Sequence, residues 1–208
     1  MRSKILGTAL ATLVLIGSAY ANIMFKEGNP GGSFQNVVGT AGEIGMEIHG
    51  VTNGSGDAIL FTSTIDTLFG GTGAGGTISG ASGALIRNVT ITAPGHGFSE
   101  ILIDPRGLIT AGGLAIMATS TDGHSFDFIY GTPGGNNYLQ ILATDGELIR
   151  SVTINSPGFR DLFHTRFRPL AAFPIAPEVI PEPSTLGLLG TGMIGLAGLV
   201  RRKLRLGT

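Results

Sequence analysis

The chain has 208 residues with 35 glycines, no cysteine and no tryptophan, and 13 basic against 14 acidic side chains leave a formal charge of −1. The missing cysteines exclude disulfides, thiolate metal sites and a cysteine nucleophile. The charge is also segregated: residues 22–180 carry seven basic and thirteen acidic side chains, a net of −6, which excludes the continuous basic surface that a nucleic acid needs.

In chain order, the segment MRSKILGTALATLVLIGSAYA opens with Arg2 and Lys4, runs apolar from Ile5 to Ile16 and closes on small residues, Ala19 and Ala21. This pattern predicts a helical export signal over residues 1–21, cut by signal peptidase before Asn22. Residues 22–168 are expected to be the folded body, long enough for one domain with a sizeable core. Its glycines lie in runs such as GGTGAGGTISG (70–80) with no period of three, so they read as turns and strand edges.

Strands are expected at 58–62, 98–103, 114–118, 126–130, 138–142 and 163–167, separated by turn-forming segments such as 104–107, 121–123, 132–137 and 144–146. No body segment of ten or more residues reads as a helix. Two further strands come from an internal repeat: 83–95 (GALIRNVTITAPG) matches 146–158 (GELIRSVTINSPG) at nine of thirteen positions, offset by 63. In each copy an apolar set (Val89 and Ile91; Val152 and Ile154) alternates with a polar one, the period of a sheet packed on one side. Arg87 and Arg150 share the parity of the apolar set and are expected at the sheet rim, with their guanidiniums in water or paired to a carboxylate. The expected fold is all-β, an antiparallel, jelly-roll-like β-sandwich with an N-terminal signal helix and a C-terminal transmembrane helix. The rival is a parallel β-helix, whose coils also suit such strings, although no repeat of twenty to thirty residues accompanies them.

The body shows no His-Glu-x-x-His, no Gly-x-Ser-x-Gly and no phosphate loop, and no catalytic residue is assigned. Its densest polar cluster, Asp122, His124 and Asp127, is either an ion or ligand contact or a turn entering a strand. Asp57, Asp104, Asp122, Asp145 and Glu147 stand beside turns where carbonyls would help a Ca²⁺ ion, yet no fixed calcium loop is present and no cofactor is assigned. Tyr130 and Tyr138 flank the 132–137 loop and are the candidate aromatic platform for a glycan.

Beyond the body, prolines at 169, 174, 177, 181 and 183 predict a stiff, extended spacer over 169–183. Residues 184–200 carry no charge and would span roughly 25 Å as a helix, close to the lower limit for a membrane crossing. The basic tail 201–208 would stay on the cytoplasmic side, leaving the body outside.

Pro181-Glu182-Pro183, the Gly/Leu-rich segment behind it and Arg201-Arg202-Lys203 together resemble the PEP-CTERM sorting signal of bacterial envelope proteins. The resemblance covers about an eighth of the chain. It implies export, a transient stay in the inner membrane with the body in the periplasm, processing by an exosortase-type transpeptidase, and delivery to the cell surface or extracellular matrix, often beside extracellular polysaccharide. Two functions follow for the body: a non-enzymatic envelope module associated with polysaccharide, or a surface polysaccharide hydrolase or lyase on a β-helix scaffold. A deep cleft with converging carboxylates would favour the enzyme, and shallow surfaces on a closed sandwich would favour the module.

Overall fold

The structure is a computed structural model that describes residues 22–71, 76–108, 113–131 and 137–172. The predicted export signal, nearly all of the spacer, the membrane segment and the basic tail, with Ala19, Ala21, Pro181, Glu182, Pro183, Arg201, Arg202 and Lys203, lie outside the described residues. The chain divides into two units between Phe173 and Pro174, and every described residue falls in the first. No helix among the described residues is long and apolar enough to cross a membrane.

The described residues form strands β1 (Asn22–Glu27), β2 (Gln35–Gly39), β3 (Ile44–Gly45), β4 (Glu47–Thr52), β5 (Ala58–Thr62), β6 (Leu68–Gly70), β7 (Ile78–Gly80) and β8 (Ile86–Thr92). They continue with β9 (His96–Phe98), β10 (Glu100–Arg106), β11 (Leu114–Ser120), β12 (Ser125–Tyr130), β13 (Leu139–Thr144), β14 (Ile149–Phe159), β15 (Asp161–Phe167) and β16 (Leu170–Ala172). The one helical turn among them is 3-10, Ala81–Gly83. All pairings between these strands are antiparallel, as expected of the favoured class, and the parallel coils of a β-helix do not occur among them. The last strand, β16, lies beyond residue 168, within the segment expected to be spacer, and pairs with β9 of the body.

Hydrogen bonding links eleven of these strands into one path, β1-β13-β10-β15-β2-β4-β5-β8-β14-β11-β12, while β3, β6, β7, β9 and β16 pair off it. The path curls at β2, where Gln35 and Asn36 pair with β15 and the next three residues, Val37 to Gly39, pair with β4. A strand shared between two runs of sheet is a usual way to turn such a corner. The curl brings the two terminal strands face to face: the rings of Phe25 on β1 and Phe128 on β12 stack with centroids 4.9 Å apart and planes within 9°. Between the facing surfaces lies one apolar core, with Phe61, Phe98, Phe159 and Phe167 fully buried. Each such ring contributes about 1.5–3 kcal/mol by leaving water.

The repeat explains the middle of this path. Its two copies, β8 and β14, are direct antiparallel neighbours, with Thr90 opposite Thr153. These two residues are equivalent positions of the repeat, so a pseudo-two-fold axis passes between them, and their hydroxyls meet at 2.9 Å. The segments that follow the two copies, β10 and β15, also pair with each other, in the opposite half of the curl. In both copies the burial phase shifts near the strand start: Ile86 and Ile149 are buried, Arg87 and Arg150 are exposed, and burial resumes at Val89 and Val152. In β14 this is a register shift against β11, a bulge that turns Arg150 out of the apolar face on which strict alternation would put it. Arg87 pairs with Asp66, and Arg150 donates to the Thr121 carbonyl at 2.9 Å.

Candidate functional site

Of the polar cluster at the β11–β12 turn, Asp122 and His124 come together and Asp127 stands apart. Asp122 accepts a hydrogen bond from the Ser120 hydroxyl and a 3.3 Å bond from the His124 amide, and its other oxygen lies 3.4 Å from His124 Nε2. The Ser120 hydroxyl, more than the His124 contacts, holds the Asp122 carboxyl below its ordinary range. Asp127 faces solvent on β12, opposite Met117. Asp57 bonds the Ser55 hydroxyl, Asp145 sits in a turn at φ +58° accepting from Thr144, and Glu147 reaches the Thr121 hydroxyl at 3.5 Å. These carboxylates organise turns, and no group of three or more His, Asp or Glu side chains among the described residues is placed to hold a metal.

The two tyrosines do not share a surface. Tyr130 is buried in the core, where burial raises its phenol above the ordinary value, with the Glu27 and Asp104 charges adding to the effect. Tyr138 is half-buried just before β13, and its partner is a residue outside the expected site, His164.

His164 owes its position to a break in sheet register. Leu102 pairs with Arg166 and Asp104 with Phe163, so two β15 residues, His164 and Thr165, oppose the single Ile103. The extra residue is accommodated with His164 at φ +49°, in the left-handed region that non-glycine residues enter uncommonly. Bulges of this kind re-aim side chains. Here the imidazole lies beside its neighbour Phe163, with ring centroids 3.8 Å apart, and its Nδ1 shares a 3.2 Å hydrogen bond with the Tyr138 hydroxyl. The Tyr138 and His164 rings lie in near-parallel planes, within 8°, with centroids 6.4 Å apart, and the hydrogen bond links them as an aromatic pair.

Charged groups frame this pair. Asp104 on β10 is fully buried; one oxygen accepts from Arg106 Nε at 2.9 Å and Nη2 at 2.7 Å, and the other accepts the Asn137 amide at 2.9 Å. The Arg106 guanidinium thereby lies 3.9 Å over the Phe163 ring, an orientation that the ring's negative face favours. Asn137 donates its side-chain amide to the Pro105 carbonyl at 3.1 Å. Three buried polar atoms among the described residues have no hydrogen-bond partner: Asn137 Oδ1, Arg166 Nε and, within the bulge, Thr165 Oγ1. Burial pushes the His164 imidazole below its ordinary value, helped by the Arg166 and Arg106 charges against the opposing Asp104 charge, so the ring is neutral at neutral pH.

Chemically, the arrangement lacks an activated nucleophile. The Asp104 oxygens are occupied by Arg106 and Asn137, and the hydrogen bond of His164 runs to a phenol. The arrangement places two near-parallel aromatic rings beside a buried acceptor and a buried donor that have no protein partner among the described residues. That combination fits a sugar ring, whose C–H face packs on rings and whose hydroxyls supply both kinds of polar partner. Tyr138 was legible as an aromatic beside a Gly/Asn-rich loop. His164, Phe163, Arg106 and Arg166 were not, because alternation along 161–167 gives no sign of the bulge that brings Phe163 and His164 together.

Among known proteins, residues 179–203 match the PEP-CTERM protein-sorting motif. That match overlaps the Pro181–Arg205 segment, and the motif implies export, membrane-associated sorting to the cell surface and processing by an exosortase-type enzyme. No curated protein matches the chain. Among solved structures the chain is similar to a mutant of a family 29 carbohydrate-binding module made to probe ligand recognition, with 13% identity over 72% of this chain and 87% of that one, at a TM-score of 0.22. A likeness at that score carries no argument about this chain.

Proposed function

We propose that this chain is an exported, surface-displayed polysaccharide-binding protein without hydrolytic activity. The curled sheet is read as the two facing layers of a jelly-roll-like sandwich, and the outer surface of β13, β10 and β15 as its contact face. The observation that carries this reading is the near-parallel, hydrogen-bonded Tyr138–His164 pair, set beside a buried Asn137 oxygen that has no partner. The PEP-CTERM motif supports the destination. On this reading, residues 1–21 direct export, 184–200 hold the chain in the inner membrane with the body outside, and 169–183 space the body from the membrane until an exosortase-type enzyme acts near Pro181-Glu182-Pro183.

The test is a glycan array probed with the native protein, run beside an assay for new reducing ends or unsaturated sugars. Binding that falls at least tenfold in Tyr138→Ala with no cleavage product is the expected result; cleavage that disappears in His164→Asn would establish an enzyme instead. Intact-mass measurement of the mature protein checks the processing: a mass lacking the basic tail is expected, and a chain ending at Thr208 would refute cleavage.

A further inference from the structure

We infer that the polysaccharide bound at this face is anionic and that Arg166 receives its oxyanion, a uronate carboxylate or a sulfate ester. This rests on the polysaccharide-binding reading above. The argument begins with how the surrounding arginines are used. Arg87 is paired with Asp66, Arg106 with Asp104, Arg160 with Asp161 and Arg168 with Glu100, and Arg150 donates to the Thr121 carbonyl. Arg166 differs from all of these: among the described residues no carboxylate is paired with it, and its buried Nε is unbonded.

The two acids near enough to serve it are already engaged. On β10, Arg166 is opposite Leu102, so Glu100 and Asp104 lie diagonally to either side, within reach of a long side chain. Glu100 is bonded to Gln140 and Arg168, and Asp104 to Arg106 and Asn137. Arg106 and Arg168 therefore engage the two carboxylates, and Arg166 adds positive charge to a face that also carries Lys26, in the same cross-strand row, on a body whose net charge is −6. The local field is felt at His164, where the Arg166 and Arg106 charges act in the same direction as burial against the Asp104 charge. A small positive patch on an acidic body disfavours indiscriminate adsorption of polyanions. It selects a ligand that places one oxyanion at Arg166 while its ring rests on Tyr138 and His164. A guanidinium with no carboxylate partner among the described residues is suited to this, because charge-assisted bonds to carboxylate or sulfate are about twice as strong as neutral ones.

The experiment uses the full chain in detergent and two matched pairs of polymers: polygalacturonate with its fully methyl-esterified form, and dextran sulfate with dextran. Affinities are measured by isothermal titration. The wild type should bind the charged member of one pair at least tenfold more tightly than its neutral counterpart, and the pair concerned identifies the oxyanion as carboxylate or sulfate. Arg166→Gln should erase that preference, Arg166→Lys should restore part of it, and Arg160→Gln, at an exposed and paired arginine, should leave it intact. If Arg166→Gln does not fold, the salt response of the wild type decides: affinity for the charged member should drop as NaCl rises, while affinity for the neutral member holds. Equal binding of charged and neutral members, sensitive to Tyr138→Ala, overturns the anionic ligand and leaves the polysaccharide reading standing. A preference that survives in Arg166→Gln overturns the role of Arg166. Binding of no polymer overturns both, as does binding of charged polymers that is insensitive to Tyr138→Ala.

Discussion

Replacing Asp66 by Ala should cost far more stability than replacing its partner Arg87. Asp66 is 5% exposed, whereas the Arg87 side chain is 55% exposed. The carboxylate accepts four hydrogen bonds: from the Arg87 amide at 2.6 Å, Arg87 Nε at 3.0 Å, Arg87 Nη2 at 2.8 Å and the Asn88 amide at 2.9 Å. Asp66→Ala leaves two successive strand amides without an acceptor, each costing about 1 kcal/mol or more, and removes the charge-assisted bonds as well, for a total of about 3 kcal/mol. Arg87→Ala keeps both amide bonds and removes a guanidinium that water replaces, at about 1 kcal/mol or less. The assay is urea unfolding of each variant at pH 7, read as a midpoint shift at constant m value. Burial pushes the Asp66 carboxyl upward, but the Arg87 amide and side chain, the Asn88 amide and the Arg87 charge outweigh it and hold the group below its ordinary value. A depressed carboxyl stabilises the fold above its ordinary titration range and loses that contribution as pH falls through the folded value, so the acid limb should flatten in Asp66→Ala. A loss below 1 kcal/mol, or one no larger than that of Arg87→Ala, would refute this account of how the start of β8 is held.

At the pseudo-two-fold axis, Thr90→Val and Thr153→Val should each cost about 0.5–1 kcal/mol, and the double variant should cost less than the two together, because replacing both partners leaves no hydroxyl unpaired; strict additivity in a double-mutant cycle would refute the bond. The imidazoles of His49 and His164 should titrate by NMR on opposite sides of 6.5, since the Glu43 hydrogen bond raises the first and burial lowers the second. The signs follow: the contribution of His49 is present below 6.5 and lost as pH rises through its folded value, whereas a depressed His164 loses stability as pH falls below 6.5, where the unfolded chain binds the proton first. In thermal melts, Gly80→Ala should lower stability by about 2 kcal/mol or more, because a Cβ at that position would run into the Ala84 carbonyl oxygen; an unchanged melting temperature would contradict the packing of β7.

Much of the fold is local in origin and was therefore readable. The strand expected at 58–62 is β5, and those expected at 114–118, 126–130 and 163–167 lie within β11, β12 and β15, because alternation and turn residues act over a few neighbours. Short strands such as β3, β6, β7 and β9 were not foreseen; two or three residues carry no period, and their pairing comes from distant partners such as β3 with β6 and β7 with β15. Tyr130 illustrates the same limit at the site. Its sequence position matches that of Tyr138 across a loop, but the curl puts β12 against β1 and buries its ring.

By itself, the order of residues determined the all-β, antiparallel class, the presence of two copies of the repeat and the C-terminal sorting motif, since composition, period and contiguous pattern act along the chain. Tertiary structure alone decided that the two copies lie side by side about an axis between Thr90 and Thr153, that a bulge turns His164 toward Tyr138, and that Arg166 remains without a carboxylate. Those outcomes depend on which strand becomes whose neighbour, and pairing is settled by burying one common core rather than by any short stretch of sequence.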